Sequence, residues 1–200
     1  MATIREGRAA LVVVDLQVGV LADAWNVAEV VGNAAMAVER ARAAGVPVIW
    51  VQHSDQDLIH GSPEWGLVPE LVPAEGEPVV HKHFESSFEE TELPDLLERL
   101  GVSHIVLAGA ASNWCIRATA YGALDRGYDL TLVKDAHTTG DLEIEGGPTI
   151  PAQHIVTDLN VAVRWLSYPG RTNTTATAGE VDFGQSAELA EQSSATSPAG

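Results

Sequence analysis

Apolar residues recur along this chain in two alternating patterns. Short unbroken runs mark strands buried on both faces, and longer stretches with apolar positions every three or four residues mark helices with one buried face. Unbroken runs at 10–14 and 105–108, with apolar stretches that polar residues interrupt or end at 46–52, 78–82 and 128–133, predict five strands. Helical spacing appears first after Asn26, with Val30, Val31, Ala34, Val38 and Ala41 on one side and Gly45 as the stop. Asn26 and Glu29 have the spacing of a capping box. A short helix is expected over 93–101 and another from about Cys115 to Gly127. A last helix opens at Pro151, apolar at Ile155, Leu159, Ala162, Trp165 and Leu166. Strands alternating with helices imply an α/β fold, an open and mostly parallel sheet covered on both sides.

Between 53 and 77 the periodicity dissolves into Gly, Pro, Ser and acids, with Trp65 and Leu67 as apolar islands. A loop of this length in a compact domain is expected to be a lid or binding loop. After Gly170 the composition shifts to Thr, Ala, Ser, Gly and acids, although Val181 and Phe183 are still apolar enough to pack. Residues 1–183 therefore read as one domain, and 184–200 as a disordered tail with too few apolar residues to offset its ordering entropy.

Two hundred residues suffice for one sizeable core, and the single cysteine excludes a disulfide framework. Arg5, Glu6 and Arg8 precede an apolar run that Asp15 soon interrupts, which is not the pattern of a signal peptide. No stretch approaches the ~20 apolar residues of a membrane span. A cytoplasmic protein is expected. The formal charge of −17 argues against nucleic acid and anionic membranes as partners and suits a neutral or cationic small molecule.

In open α/β sheets, ligands bind beyond the carboxyl ends of the strands. Asp15, Lys82 and Cys115 each fall just past such an end, so the three are expected at one rim. Singly, each has a plainer explanation: a turn-capping aspartate, a solvated lysine, a small buried thiol. Together they divide the labour of acyl transfer. Lys82 and the N–H groups of a helix start favour the Cys115 thiolate, and Asp15 takes up and returns the proton. The turn Gly109-Ala-Ala-Ser-Asn offers backbone N–H groups to an oxyanion.

These stretches resemble the isochorismatase-like cysteine hydrolases, a family of nicotinamidases, N-carbamoylsarcosine amidases, streptothricin hydrolases and isochorismatases. The matching residues are Ala10-Leu-Val-Val-Val-Asp15-Leu-Gln17, Lys82 with Ser87-Phe88 and Thr91, and Gly109-Ala-Ala-Ser-Asn-Trp-Cys115 with Thr119-Ala120. Leu124-Asp-Arg-Gly-Tyr128, Lys134-Asp-Ala-His137 and Asn160 fit as well. The resemblance implies a three-layer α/β/α fold around a six-stranded, mostly parallel sheet, and a catalytic triad of Asp15, Lys82 and Cys115. It also implies a cis peptide at Ala110–Ala111 and an oxyanion hole from the N–H groups of Ala111 and Cys115. A homo-oligomer, dimer or tetramer, is implied too.

Gln17, His53, Phe88 and Trp114 are the candidate substrate-binding residues, with Trp65 an alternative wall. The region Gln52-His-Ser-Asp-Gln-Asp-Leu-Ile-His60 lacks the Asp-x-His spacing of the metal-binding relatives, so no metal and no cofactor are expected. The expected activity is hydrolysis of an amide, carbamoyl or lactam C–N bond through a cysteine thioester. Vinyl-ether hydrolysis of the isochorismatase type and a non-catalytic binding module are the alternatives.

Overall fold

The computed structural model describes residues 8–183; the expected disordered tail lies outside the described residues. Strands β1 (Arg8–Val14), β2 (Val48–His53), β3 (Val79–Lys82), β4 (Val102–Ala110), β5 (Asp129–Thr138) and β8 (Asn173–Ala176) form one six-stranded sheet. Its order is β3-β2-β1-β4-β5-β8 and every pairing is parallel. β6 (Leu142–Glu143) and β7 (Thr149–Ile150) make a separate hairpin. Helix α1 (Val27–Ala43) packs on one face, against Leu11, Val13 and Trp50. Helices α2 (Leu93–Arg99), α3 (Arg117–Asp125) and α4 (Ala152–Trp165) cover the other, against Val12, Ile49, Ile105 and Leu107. Alternate residues of β1 thus face opposite cores, and for that reason its sequence is an apolar run.

Strand order reverses between β1 and β4, so their carboxyl ends open the crevice in which such sheets hold ligands. Gly109, near the end of β4, has φ 137°, and a Cβ there would lie 2.0 Å from the carbonyl oxygen of Val14. Only glycine lets the two strands approach this closely at the crevice.

Several local expectations are corrected. Asn26 does not cap α1: its φ is 54°, and its amide bonds the Glu29 carboxylate at 2.6 Å instead of a backbone N–H. The element after β4 opens as one π-helical turn, Ser112–Ile116, that runs straight into α3 at Arg117; Cys115 lies within this opening turn. Trp165 is 78% exposed, and Val156 and Val163 take the core positions of α4. The sixth strand, β8, is Asn-Thr-Thr-Ala at the sheet edge, a polar segment without a strand's apolar run. Val181 and Phe183 do pack in the α1 core.

The 54–78 connection has no strand or helix of its own, and Glu77 ties its far end down. That carboxylate accepts from Arg42 at 2.8 and 2.9 Å, Trp50 Nε1 at 2.7 Å and the Ala74 N–H at 2.9 Å. Arg42, with help from Trp50 and Ala74, holds the carboxyl down at about 2 against an ordinary 4.5. A depressed carboxyl stabilises the fold above its unfolded value and loses that contribution as pH falls from 4.5 towards 2. Glu77→Gln is expected to cost about 1–2 kcal/mol at pH 7, a value discounted for solvent around Arg42. It should also flatten the acid side of the stability profile, measured by urea unfolding between pH 7 and 3.

Candidate functional site

The three chemically suggestive residues meet. Asp15, immediately after β1, has φ 51° and is held by its N–H to the Val51 carbonyl at 2.9 Å. This left-handed backbone turns a fully buried carboxylate toward the crevice. Lys82 ends β3, buried to its tip. Its Nζ lies 2.7 Å from Asp15 Oδ2, 3.2 Å from Cys115 Sγ and 3.1 Å from the Phe84 carbonyl oxygen. Asp15 and Cys115 also act on each other electrostatically.

The electrostatics correct one expectation. Burial pushes the Cys115 thiol up, and the Asp15 carboxylate beside it pushes it further, to about 12 against an ordinary 9; Lys82 opposes both without winning. Burial also raises the Asp15 carboxyl, with Lys82 pulling it back. Although burial alone would lower the Lys82 ammonium, Asp15 and Cys115 raise it. The resting trio is therefore carboxylate, ammonium and thiol, a neutral set; a thiolate would add an unbalanced charge where water is excluded.

The turn carrying the thiol is held from below by a buried polar chain. Ser112 Oγ donates to His137 Nδ1 at 2.8 Å, His137 Nε2 to Asn160 Oδ1 at 3.1 Å, and Asn160 Nδ2 to the Lys134 carbonyl at 3.0 Å. These join the π turn to β5 and α4. The Ala110–Ala111 peptide at the head of the turn is cis. Thr139 Oγ1 donates to Asn113 Oδ1 at 2.6 Å on the same rim. Burial carries His137 from its ordinary 6.5 to about 4, so its imidazole is neutral. A histidine depressed in this way stabilises the fold fully above 6.5 and ceases to as pH falls through about 4. His137→Phe, which strands Ser112 and Asn160, is expected to cost about 2–4 kcal/mol at pH 7. The variant should also lack the decline of up to about 3 kcal/mol expected of the parent from pH 6.5 to 4, in denaturant titrations.

The proposed binding residues fare differently. Gln17 is fully buried and its amide is consumed: Nε2 donates to the carbonyls of His53 and Trp65 at 3.0 and 2.7 Å, and Oε1 accepts from the His53 N–H at 2.8 Å. It fastens the loop to β2, with both N–H donors used and no exposed surface to offer a substrate. Phe88 is buried in the helix-side core, its ring 6.0 Å from that of Tyr128 and capped by Arg126, so it is a packing residue. The ring nitrogens of His53 face Lys82 and Asp55, at 3.4 and 3.0 Å. Trp65 stacks on His60 and His81, away from Lys82 on its strand. Trp114, next to the thiol, is 56% exposed at the rim.

The contacts made by Phe84, Asp55, Ser112 and Asn113 are ones that no periodicity signals. Among the described residues no three His, Cys, Asp or Glu side chains converge as metal ligands.

A parallel sheet with an acid, an amine and a thiol buried together at its switch point defines an α/β protein with an acid–ammonium–thiol site. Residues 9–145 match the isochorismatase domain, and the chain belongs to that family. An isochorismatase family protein of Bacillus subtilis is 38% identical over 128 residues, 62% of this chain and 71% of its own length. Streptothricin hydrolase of Streptomyces noursei is 38% identical over 121 residues; the match spans 58% of this chain and 48% of the hydrolase, about half its length. The crystal structure of an isochorismatase from Pseudomonas putida KT2440 superposes with a TM-score of 0.78 at 30% identity, covering 88% of this chain and 90% of that one.

Proposed function

We propose that this protein is a cysteine hydrolase that cleaves a C–N bond of a small amide, carbamoyl or lactam substrate through a thioester. The single observation that carries this reading is the position of Lys82 Nζ, in contact with Asp15 and Cys115 at once. Because the neutral trio resists a free thiolate, Asp15 takes the thiol proton as sulfur attacks the carbonyl carbon, and the site's net charge stays unchanged. The carbonyl oxygen, now carrying the negative charge, is received by the N–H groups of Ala111 and Cys115. Asp15 then returns the proton to the leaving nitrogen as the C–N bond breaks. Water, deprotonated by Asp15, attacks the thioester; the acid departs and sulfur recovers its proton. Trp114 forms part of the rim that a substrate crosses.

The charge around the site supports a neutral or cationic substrate over a carboxylate. In sequence, Asp55 and Asp57 follow the end of β2, Glu85 that of β3 and Asp141 that of β5, while Arg117 at the start of α3 is already paired with Asp158 at 2.6 Å. Relatives named as a streptothricin hydrolase and a maleamate amidohydrolase are in keeping with hydrolysis of a small molecule. The test is a panel of small amides, carbamoyl compounds and lactams, read by product formation and by intact mass. A substrate-derived adduct present in the parent and lost in Cys115→Ala supports the reading. Turnover of a vinyl ether that survives Cys115→Ala would replace it with isochorismatase-type chemistry.

A further inference from the structure

Lys82 must cross a strand to reach its partners. β2 separates β3 from β1 in the sheet, and His53, the last residue of β2, is the register partner of Lys82. There the imidazole meets the ammonium, Nδ1 to Nζ at 3.4 Å. An ammonium has three N–H bonds and no lone pair, so Nδ1 can only accept, and the ring proton belongs on Nε2. Nε2 faces Asp55 Oδ2 at 3.0 Å, which takes that proton. Asp55 is itself immobilised, its Oδ1 accepting from the N–H groups of Asp57 and Leu58 at 2.8 and 2.7 Å. From the other side, Gln17 grips both the N–H and the carbonyl of His53.

We propose that Asp55 and His53 act as a positioning pair for the Lys82 ammonium, steering it between Asp15 and Cys115; this rests on the role given to Lys82 above. Asp15, the Phe84 carbonyl, Cys115 and His53 all lie within 3.4 Å of the ammonium, and His53 is the acceptor that β2 contributes. Without the lateral acceptor, the ammonium rolls toward the strongest, the Asp15 carboxylate. The contact that then weakens first is the one to sulfur, the poorest acceptor of the set. Asp55 keeps His53 in the one tautomer that attracts the ammonium. With the proton on Nδ1, the ring would oppose it.

Alkylation of Cys115 by iodoacetamide at pH 8 tests this without a substrate, since the thiolate is the species that reacts. His53→Leu removes the acceptor. His53→Asn restores one near the place of Nδ1, and Asp55→Asn keeps the turn while removing the charge that orders the ring. Alkylation of His53→Leu is expected to slow about tenfold, one unit of thiol pKa, with His53→Asn within about threefold of the parent and Asp55→Asn in between. On an amide substrate kcat should follow the same order, with KM within about twofold.

Parent-like alkylation in His53→Leu, or equal slowing in the Leu and Asn variants, would overturn the pair. A rise in KM alone would make His53 a substrate contact and overturn it too. Should His53→Leu not fold, parent-like alkylation in Asp55→Asn is decisive against it. If no amide is turned over and the alkylation order holds, the pair stands and the hydrolase reading falls.

Discussion

Replacing Cys115 with serine is expected to lower kcat on an amide substrate by about 10⁴-fold or more, with the fold's stability changed by less than about 1 kcal/mol. Oxygen for sulfur is nearly isosteric, and a hydroxyl can keep its place beside Lys82 and Asp15, so the structural effect is small. The chemical effect is not. In the proposed mechanism the trio works because the thiol, although pushed up to about 12 by burial and by Asp15, still lies within reach of a carboxyl whose own proton affinity burial has raised. A serine hydroxyl is a far weaker acid, and the same transfer to Asp15 becomes prohibitively uphill. Steady-state kinetics beside urea unfolding separates the two effects. Activity within tenfold of the parent would remove Cys115 from the chemistry and leave Asp15 to act as an acid alone.

Lys82→Met should fail in a second way. It leaves the Asp15 carboxylate buried without its cation, a loss of about 3–5 kcal/mol when one member of a buried pair is removed, and activity falls with it. The sign of the pH dependence identifies the cause. With Lys82 gone, burial, the largest influence on the Asp15 carboxyl, raises it against only the smaller opposing effects of Cys115 and His53. A group raised in the folded state favours folding when protonated, so the variant should regain stability as pH is lowered and lose it as pH rises through the folded value. Adding Asp15→Asn to Lys82→Met removes the orphaned charge and should restore most of the stability at pH 7 while leaving the enzyme inactive. A double-mutant cycle measures that coupling. If the double variant is no more stable than Lys82→Met alone, the ion pair is not what the single substitution breaks.

Both predictions depend on residues that could be marked before any coordinates were seen, yet their chemistry could not be read in full. Asp15, Lys82 and Cys115 stood out because each follows a predicted strand, and strand ends are a matter of local periodicity. The supporting residues carry no such sign. Gln17 resembles a polar rim residue in sequence and is in fact a buried clamp on His53. Phe88, near Lys82 in sequence, turns into the core beneath α3 because the chain bends after Phe84, while its neighbour Ser87 is fixed to Thr119 by a backbone N–H at 3.0 Å. His137 is buried against Ser112 and Asn160, beneath the turn that carries the thiol, and no local pattern marks that place.

Taken by itself, the sequence determined the alternation of strands and helices, the glycine stops, the parallel sheet and the rim at which three reactive side chains converge. Each of these follows from apolar spacing and backbone preference over a few neighbouring residues. Tertiary structure alone decided that a four-residue polar segment completes the sheet as β8. It also decided that the thiol rests protonated inside a π turn, and that His53 faces the ammonium instead of a ligand. The reason is that proton affinity and hydrogen-bond partnership are set by desolvation and by groups far away along the chain. Lys82 and Cys115 are 33 positions apart, and nothing local to either fixes the 3.2 Å between their nitrogen and sulfur.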